Sequence, residues 1–185
     1  MKTVFRALSL LLLAVALPAA AWSDMEADAP ADATGVVIPE VTDLRQEAAL
    51  ARNRRLPLLV MFSSEYCPYC TTMKSDFLKP MMFSGAYDDK ILFRMLELRA
   101  GADVVDFDGR KVNVWEFAER YKVRVTPTLV FLDYQGKPMA PKMVGLTTPD
   151  FFGGYLDDAI TTAYNHVRNG SSTFACKDAH TRLTC

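Results

Sequence analysis

Cys67-Pro68-Tyr69-Cys70 is the stretch of this 185-residue chain whose residue types and spacing could do chemistry unaided. Two thiols three residues apart lie on one side of a first helical turn, near enough to join and to part. The flanking sequence puts the first of them at a helix start. Pro57–Phe62 (PLLVMF) reads as a strand buried on both faces, a short loop follows, and helix-like sequence runs to about Leu78. At such an N-cap the unpaired backbone N–H groups and the positive end of the helix dipole stabilise a Cys67 thiolate. Pro68 falls at the first helical position, where its missing N–H costs nothing and its fixed φ helps start the turn. The Cys67 thiolate would attack a substrate disulfide, and Cys70 would resolve the mixed disulfide. The sulfur pair carries both electrons, so no cofactor is expected.

A second constellation is Val125-Thr126-Pro127-Thr128, just ahead of an apolar strand. A proline leading into a sheet after a cysteine-bearing helix favours a cis Thr126–Pro127 bond, far above the base rate of about 5–6%. Such a loop beside the sulfurs would exclude other groups and let the Thr126 backbone pair with an extended substrate segment.

The elements that must position these residues follow from pattern. Asp43 caps a helix to about Arg54, and Ile91–Leu98 is a second strand. Val104–Val114 carries Asp108-Gly109 as a hairpin or tight-turn signal, and Asn113–Tyr121 reads as a helix. Thr128–Leu132 is a third strand, Pro141–Val144 a fourth, and Phe151 to about Val167 a last helix. Pro80 should kink or end the cysteine helix. The order predicts an α/β domain with a central mixed sheet and helices on both faces, over residues 43–168.

The chain is half hydrophobic with a net charge of −1, which fits one globular domain and argues against nucleic-acid binding. Its start reads as a secretory signal peptide over residues 1–21. Lys2 and Arg6 precede the apolar run Ala7–Leu17, then Pro18 and Ala19-Ala20-Ala21. Cleavage is expected before Trp22 or after Ser23, since the run is shorter than the ~20 residues a membrane span needs. The mature chain then carries about −3, begins with an acidic leader over 22–42, and is expected in the periplasm, where disulfides form.

In that compartment Cys176 and Cys185, in a polar tail over 169–185, are expected to form a structural disulfide worth roughly 2–3 kcal/mol. Two alternatives are open: a shuttle arm exchanging electrons with Cys67 and Cys70, or a metal site with His180, which supplies only three ligands. No metal site is assigned. His166 is expected on a helix surface, and Met73, Met81 and Met82 read as core and groove lining.

LPLLVMF, the CPYC helix, YKVRVTPTLVFLD, the glycine of MVGL and a closing helix together resemble the thioredoxin superfamily over about residues 43–165. The resemblance implies a thioredoxin fold and a thiol–disulfide oxidoreductase acting on protein disulfides. Cys67 matches the nucleophile, Cys70 the resolving thiol, Pro127 the cis-proline, Thr126 the residue before it and Gly145 the glycine of the substrate groove. Tyr66, Pro68 and Tyr69 complete the expected substrate-contacting set. The export signal and the inserted FDGRKVNVWEFAERY segment resemble larger periplasmic members, the SoxW-type thioredoxins. For these the implied direction is reduction, with a membrane thiol transporter as electron donor.

Three positions depart from the family pattern. Met61 stands where thioredoxins carry a buried aspartate, Tyr66 replaces tryptophan, and Pro68-Tyr69 replaces Gly-Pro between the cysteines; nearby Glu65 reads as a solvated loop charge. The CPYC dipeptide suggests a potential of about −180 to −230 mV. A disulfide donor of the same fold and a CxxC metal-delivery module are the rival readings. The stretch before Asp43 is too short for a dimerisation domain, so a monomer is expected.

Overall fold

The computed structural model describes residues 35–170. The signal peptide, most of the leader and the Cys176/Cys185 tail lie outside the described residues. Helix α1 (Leu44–Arg54) leads into strand β1 (Leu58–Ser63). A continuous helical run follows as α2 (Pro68–Thr72), a π-helical turn (Met73–Leu78) and α3 (Lys79–Phe83). Strand β2 (Leu92–Glu97) precedes the hairpin β3 (Asp103–Val105) and β4 (Lys111–Asn113). Helix α4 (Val114–Arg120), β5 (Thr128–Leu132), β6 (Met143–Val144) and α5 (Pro149–Asn169) complete the order.

The main sheet runs β2-β1-β5-β6, with β1 parallel to β2 and antiparallel to β5. Every residue of β1 is buried, because both faces of the sheet are covered. Leu58, Val60 and Phe62 point to one core with α1 and α4. Leu59 and Met61 point to the other, beneath Cys70, Met73 and the α5 stripe Phe152, Leu156, Ile160 and Ala163. That stripe recurs at helical spacing, so one face of α5 seals this side. Among the described residues no helix is long and apolar enough to cross a membrane.

Three boundaries differ from the sequence expectation. The leader expected to reach residue 42 ends earlier. Val41 N donates to Met95 O (2.8 Å) and Met95 N to Pro39 O (2.9 Å), so residues 39–41 line the outer edge of β2. Ile38 and Val41 are buried in opposite cores, which their odd spacing on an extended segment dictates. Pro39 is tolerated because an edge position asks only for its carbonyl.

Pro80 does not end the cysteine helix. The preceding turn widens to π geometry, with Lys79 N bonded to Lys74 O, and Pro80 enters the first turn of α3, where its missing N–H leaves no vacancy. The fourth strand is shorter than Pro141–Val144. Pairing with β5 starts at Pro138–Met139, breaks around Pro141 and resumes only at Met143–Val144.

Helix α1 is anchored by Asp43, whose carboxylate accepts from the Arg45 backbone N–H (2.9 Å) and the Arg45 guanidinium (2.8 Å). The Arg45 side chain, with its backbone N–H, holds the Asp43 carboxyl down to about 2. An unfolded aspartate titrates near 3.9, so the cap stabilises fully above about pH 4 and is lost as the pH falls through 2. Asp43→Ala should therefore lower the melting temperature at pH 7, and calorimetry from pH 7 to 2 should show the gap to wild type closing below pH 4.

Candidate functional site

Strand β1 delivers the chain to the cysteines at the end of the sheet. Ser63 is its last residue; Ser64, Glu65 and Tyr66 then turn the backbone, and Cys67 caps α2. Tyr66 takes a left-handed backbone (φ 59°), a conformation unfavourable for an aromatic residue. Its ring is 92% exposed.

Cys67 has extended backbone angles, Pro68 sits at the first helical position, and Cys67 Sγ accepts the Cys70 N–H at 3.1 Å. That donor, with the positive end of the helix behind it, favours the thiolate form. The two residues form a disulfide with Cα atoms 5.2 Å apart. Cys67 is half-buried while Cys70 is 1% exposed, so an incoming sulfur reaches Cys67 first. This asymmetry would suit Cys67 to attack and Cys70 to resolve.

The Thr126–Pro127 peptide is cis, and Pro127 is buried. Three loops are tied together around the sulfurs. Ser64 Oγ and Thr126 Oγ1 share a hydrogen bond of 2.7 Å, linking the turn before Cys67 to the residue before Pro127. Gly145 N donates to Pro127 O at 2.8 Å, linking the proline loop to the end of β6. Gly145 has φ +70°, the left-handed region that favours glycine, which lets the chain turn at this contact. Thr128 Oγ1 closes the proline loop on Val125 O (2.8 Å).

A cavity of about 530 Å³ opens beside the disulfide, lined by residues that include Ser64, Glu65, Cys70, Lys74 and Glu97. Glu65 is exposed at its rim. Gly145 lies away from this cavity and lines a separate groove of about 610 Å³ with Val144, Thr148, Phe152 and Tyr155. Tyr66 and Tyr69, which flank Cys67 in sequence, are exposed, as is Val125 on the proline loop. Met61 is fully buried, so no carboxylate lies in the strand beneath Cys70 at that position.

The structure thus brings Tyr66, Cys67, Pro68, Tyr69 and Cys70 onto one turn and ties Thr126, Pro127 and Gly145 to it. Two residues escaped the sequence reading. Ser64 is a polar residue in a loop, with no pattern to mark its partner. Glu97 becomes visible only through strand register, which pairs it with Ser63. His166, expected on a helix surface, is partly buried, with Nδ1 2.8 Å from Met139 O. Among the described residues no group of three or more His, Cys, Asp or Glu side chains is arranged to hold a metal ion.

A thioredoxin-like domain model matches residues 44–160. No curated protein sequence matches the chain. Among solved structures, a poplar thioredoxin h is 19% identical, with a TM-score of 0.46 over 65% of this chain and 94% of its own. The Malassezia sympodialis thioredoxin is 17% identical, with a TM-score of 0.47 over 69% of this chain and 91% of its own. A structure described as DsbH oxidoreductase is 19% identical, with a TM-score of 0.47 over 70% and 87%. With the family model spanning most of the chain and a disulfide-forming CPYC pair at the head of its helix, the chain belongs to the thioredoxin-like family of thiol–disulfide oxidoreductases.

Proposed function

We propose that this protein is an exported, periplasmic reductase of protein disulfides, recharged by a membrane thiol transporter and working as a monomer. The observation that carries the direction is the charge around the sulfurs. The cavity beside the pair presents Glu65 and Glu97 against one cation, Lys74. A strongly oxidising pair needs its reduced, thiolate form heavily stabilised, which positive surroundings provide and carboxylates oppose. The helix start and the Cys70 N–H supply the ordinary stabilisation, supporting a potential of about −180 to −230 mV. The signal sequence supports the location, and a reductase there must draw its electrons across the inner membrane.

Substrate would lie extended between the two tied loops. Its backbone pairs with Thr126 by strand addition. Tyr66, Pro68 and Tyr69 cover one side of its cysteine, and Pro127 with the turn at Gly145 bounds the other. Exposed aromatic rings offer apolar area at low entropic cost and suit substrates of varied sequence.

Two measurements test this reading. Acid quench and thiol alkylation of cells, in a Cys176→Ser/Cys185→Ser background, should find Cys67 and Cys70 mostly reduced; a mostly oxidised pair would point instead to a disulfide donor. Ser64→Ala should raise KM for insulin reduction by about three- to tenfold, the range of one hydrogen bond. Its equilibrium potential against glutathione should stay at the wild-type value, because the hydrogen bond holds Thr126 and not Cys67.

A further inference from the structure

Cys70 must lose a proton each time it resolves a mixed disulfide, yet it is 1% exposed and packed among Met61, Met73, Leu78 and Leu129. A thiol in apolar surroundings gives up its proton reluctantly, because burial disfavours the charged form. Among the described residues, no ionisable side chain other than Cys70 belongs to the buried cluster beneath it. The proton therefore leaves sideways, through the cavity that Cys70 shares with solvent.

The titratable groups lining that cavity are Glu65, Tyr66, Lys74 and Glu97. Of these only Glu65 and Glu97 are carboxylates; Lys74 contributes an amine and Tyr66 a phenol. Glu65 is exposed on the loop at the rim. Glu97 comes from the sheet. In β2, Phe93 and Met95 face the Cys70 core while Leu92 and Leu96 face the other, so alternation turns Glu97 toward Cys70. It is half-buried at the strand end, and no ion pair or hydrogen bond holds its carboxylate among the described residues.

Ser63 is paired with Glu97 in register, roughly 4.8 Å away across the strands. Its hydroxyl is buried and has no hydrogen-bond partner among the described residues. A buried hydroxyl calls for a polar partner, and strand alternation turns Ser63 to the same side of the sheet as Met61 and Glu97.

We propose that Glu97 is the proton acceptor for Cys70, reached through solvent in this cavity, with Ser63 orienting the relay. In the mixed disulfide, Cys67 is bonded to the substrate sulfur. Cys70 passes its proton by way of water to the Glu97 carboxylate, and its sulfur attacks Cys67. The Cys67–Cys70 bond forms as the bond from Cys67 to the substrate breaks. The electron pair departs with the substrate sulfur, which leaves as a thiolate and is protonated by solvent. The pair is oxidised by two electrons and the substrate disulfide reduced by two. In the opposite direction Glu97 returns the proton to Cys70.

This inference rests on the exchange chemistry and not on its direction in the cell, so the redox state of the pair in vivo leaves it untouched. The test is a single turnover of the reduced full-length protein with insulin, quenched in acid, with the mixed disulfide followed by intact mass. Glu97→Gln should prolong that species at pH 7 by about tenfold or more, the modest end of what a positioned base contributes. The difference should shrink as the pH rises, because hydroxide then takes the thiol proton without a positioned base. Glu97→Asp should restore part of the rate. Iodoacetamide reactivity of Cys67 should not fall in either variant, and should rise in Glu97→Gln because a carboxylate that opposes the thiolate is removed; a general loosening of the helix start would lower it. An unchanged lifetime, or a slowing equal at every pH, overturns the proposal.

Discussion

Burial of β1 on both faces is the constraint on which the rest depends. A strand with its backbone paired on both sides and its side chains packed above and below has one register open to it, since a slip of one residue exchanges its two cores. Leu58, Val60 and Phe62 belong to one core; Leu59 and Met61 belong to the other. The last residue of that strand fixes where the chain leaves the sheet. Four residues later Cys67 sits at a helix start whose position owes nothing to the loop itself.

The same register distributes work between the two cysteines. Cys67 meets solvent and a single backbone donor, whereas Cys70 is folded back onto apolar residues of the α5 core. One sulfur is available to a large partner and the other only to its neighbour. The tether from Ser64 through Thr126 and from Pro127 to Gly145 makes three loops a single rim. A site assembled from loops thereby acquires the fixity of the sheet beneath it.

Much of this was legible in residue types. A short apolar run before CPYC, with proline at the second position of the motif, leaves little choice but strand, loop and helix start. The mixed sheet, the helices on both faces and the Asp108-Gly109 hairpin follow from periodicity and turn chemistry in the same way. What escaped depends on contacts between segments distant in sequence. Ile38 and Val41 looked like the end of an acidic leader because their partner strand lies more than fifty residues away. Pro80 read as a stop because no local pattern announces that the turn before it widens. Ser64 and Glu97 were hidden for the related reason that each matters through a residue on another strand or loop.

The segment along the outer edge of β2 has a further consequence. An open strand edge is a template on which a second chain can grow, and fibrils begin in this way. Here one edge of the main sheet is covered by residues 39–41, with a proline among them, and the other ends in a two-residue strand broken near Pro141. Stacking of these sheets into fibrils is therefore blocked at both ends by short, proline-marked segments. If substrate pairs with the Thr126 backbone as proposed, that strand addition takes place away from both covered edges, and a peptide arriving singly would be accepted where a second sheet would not.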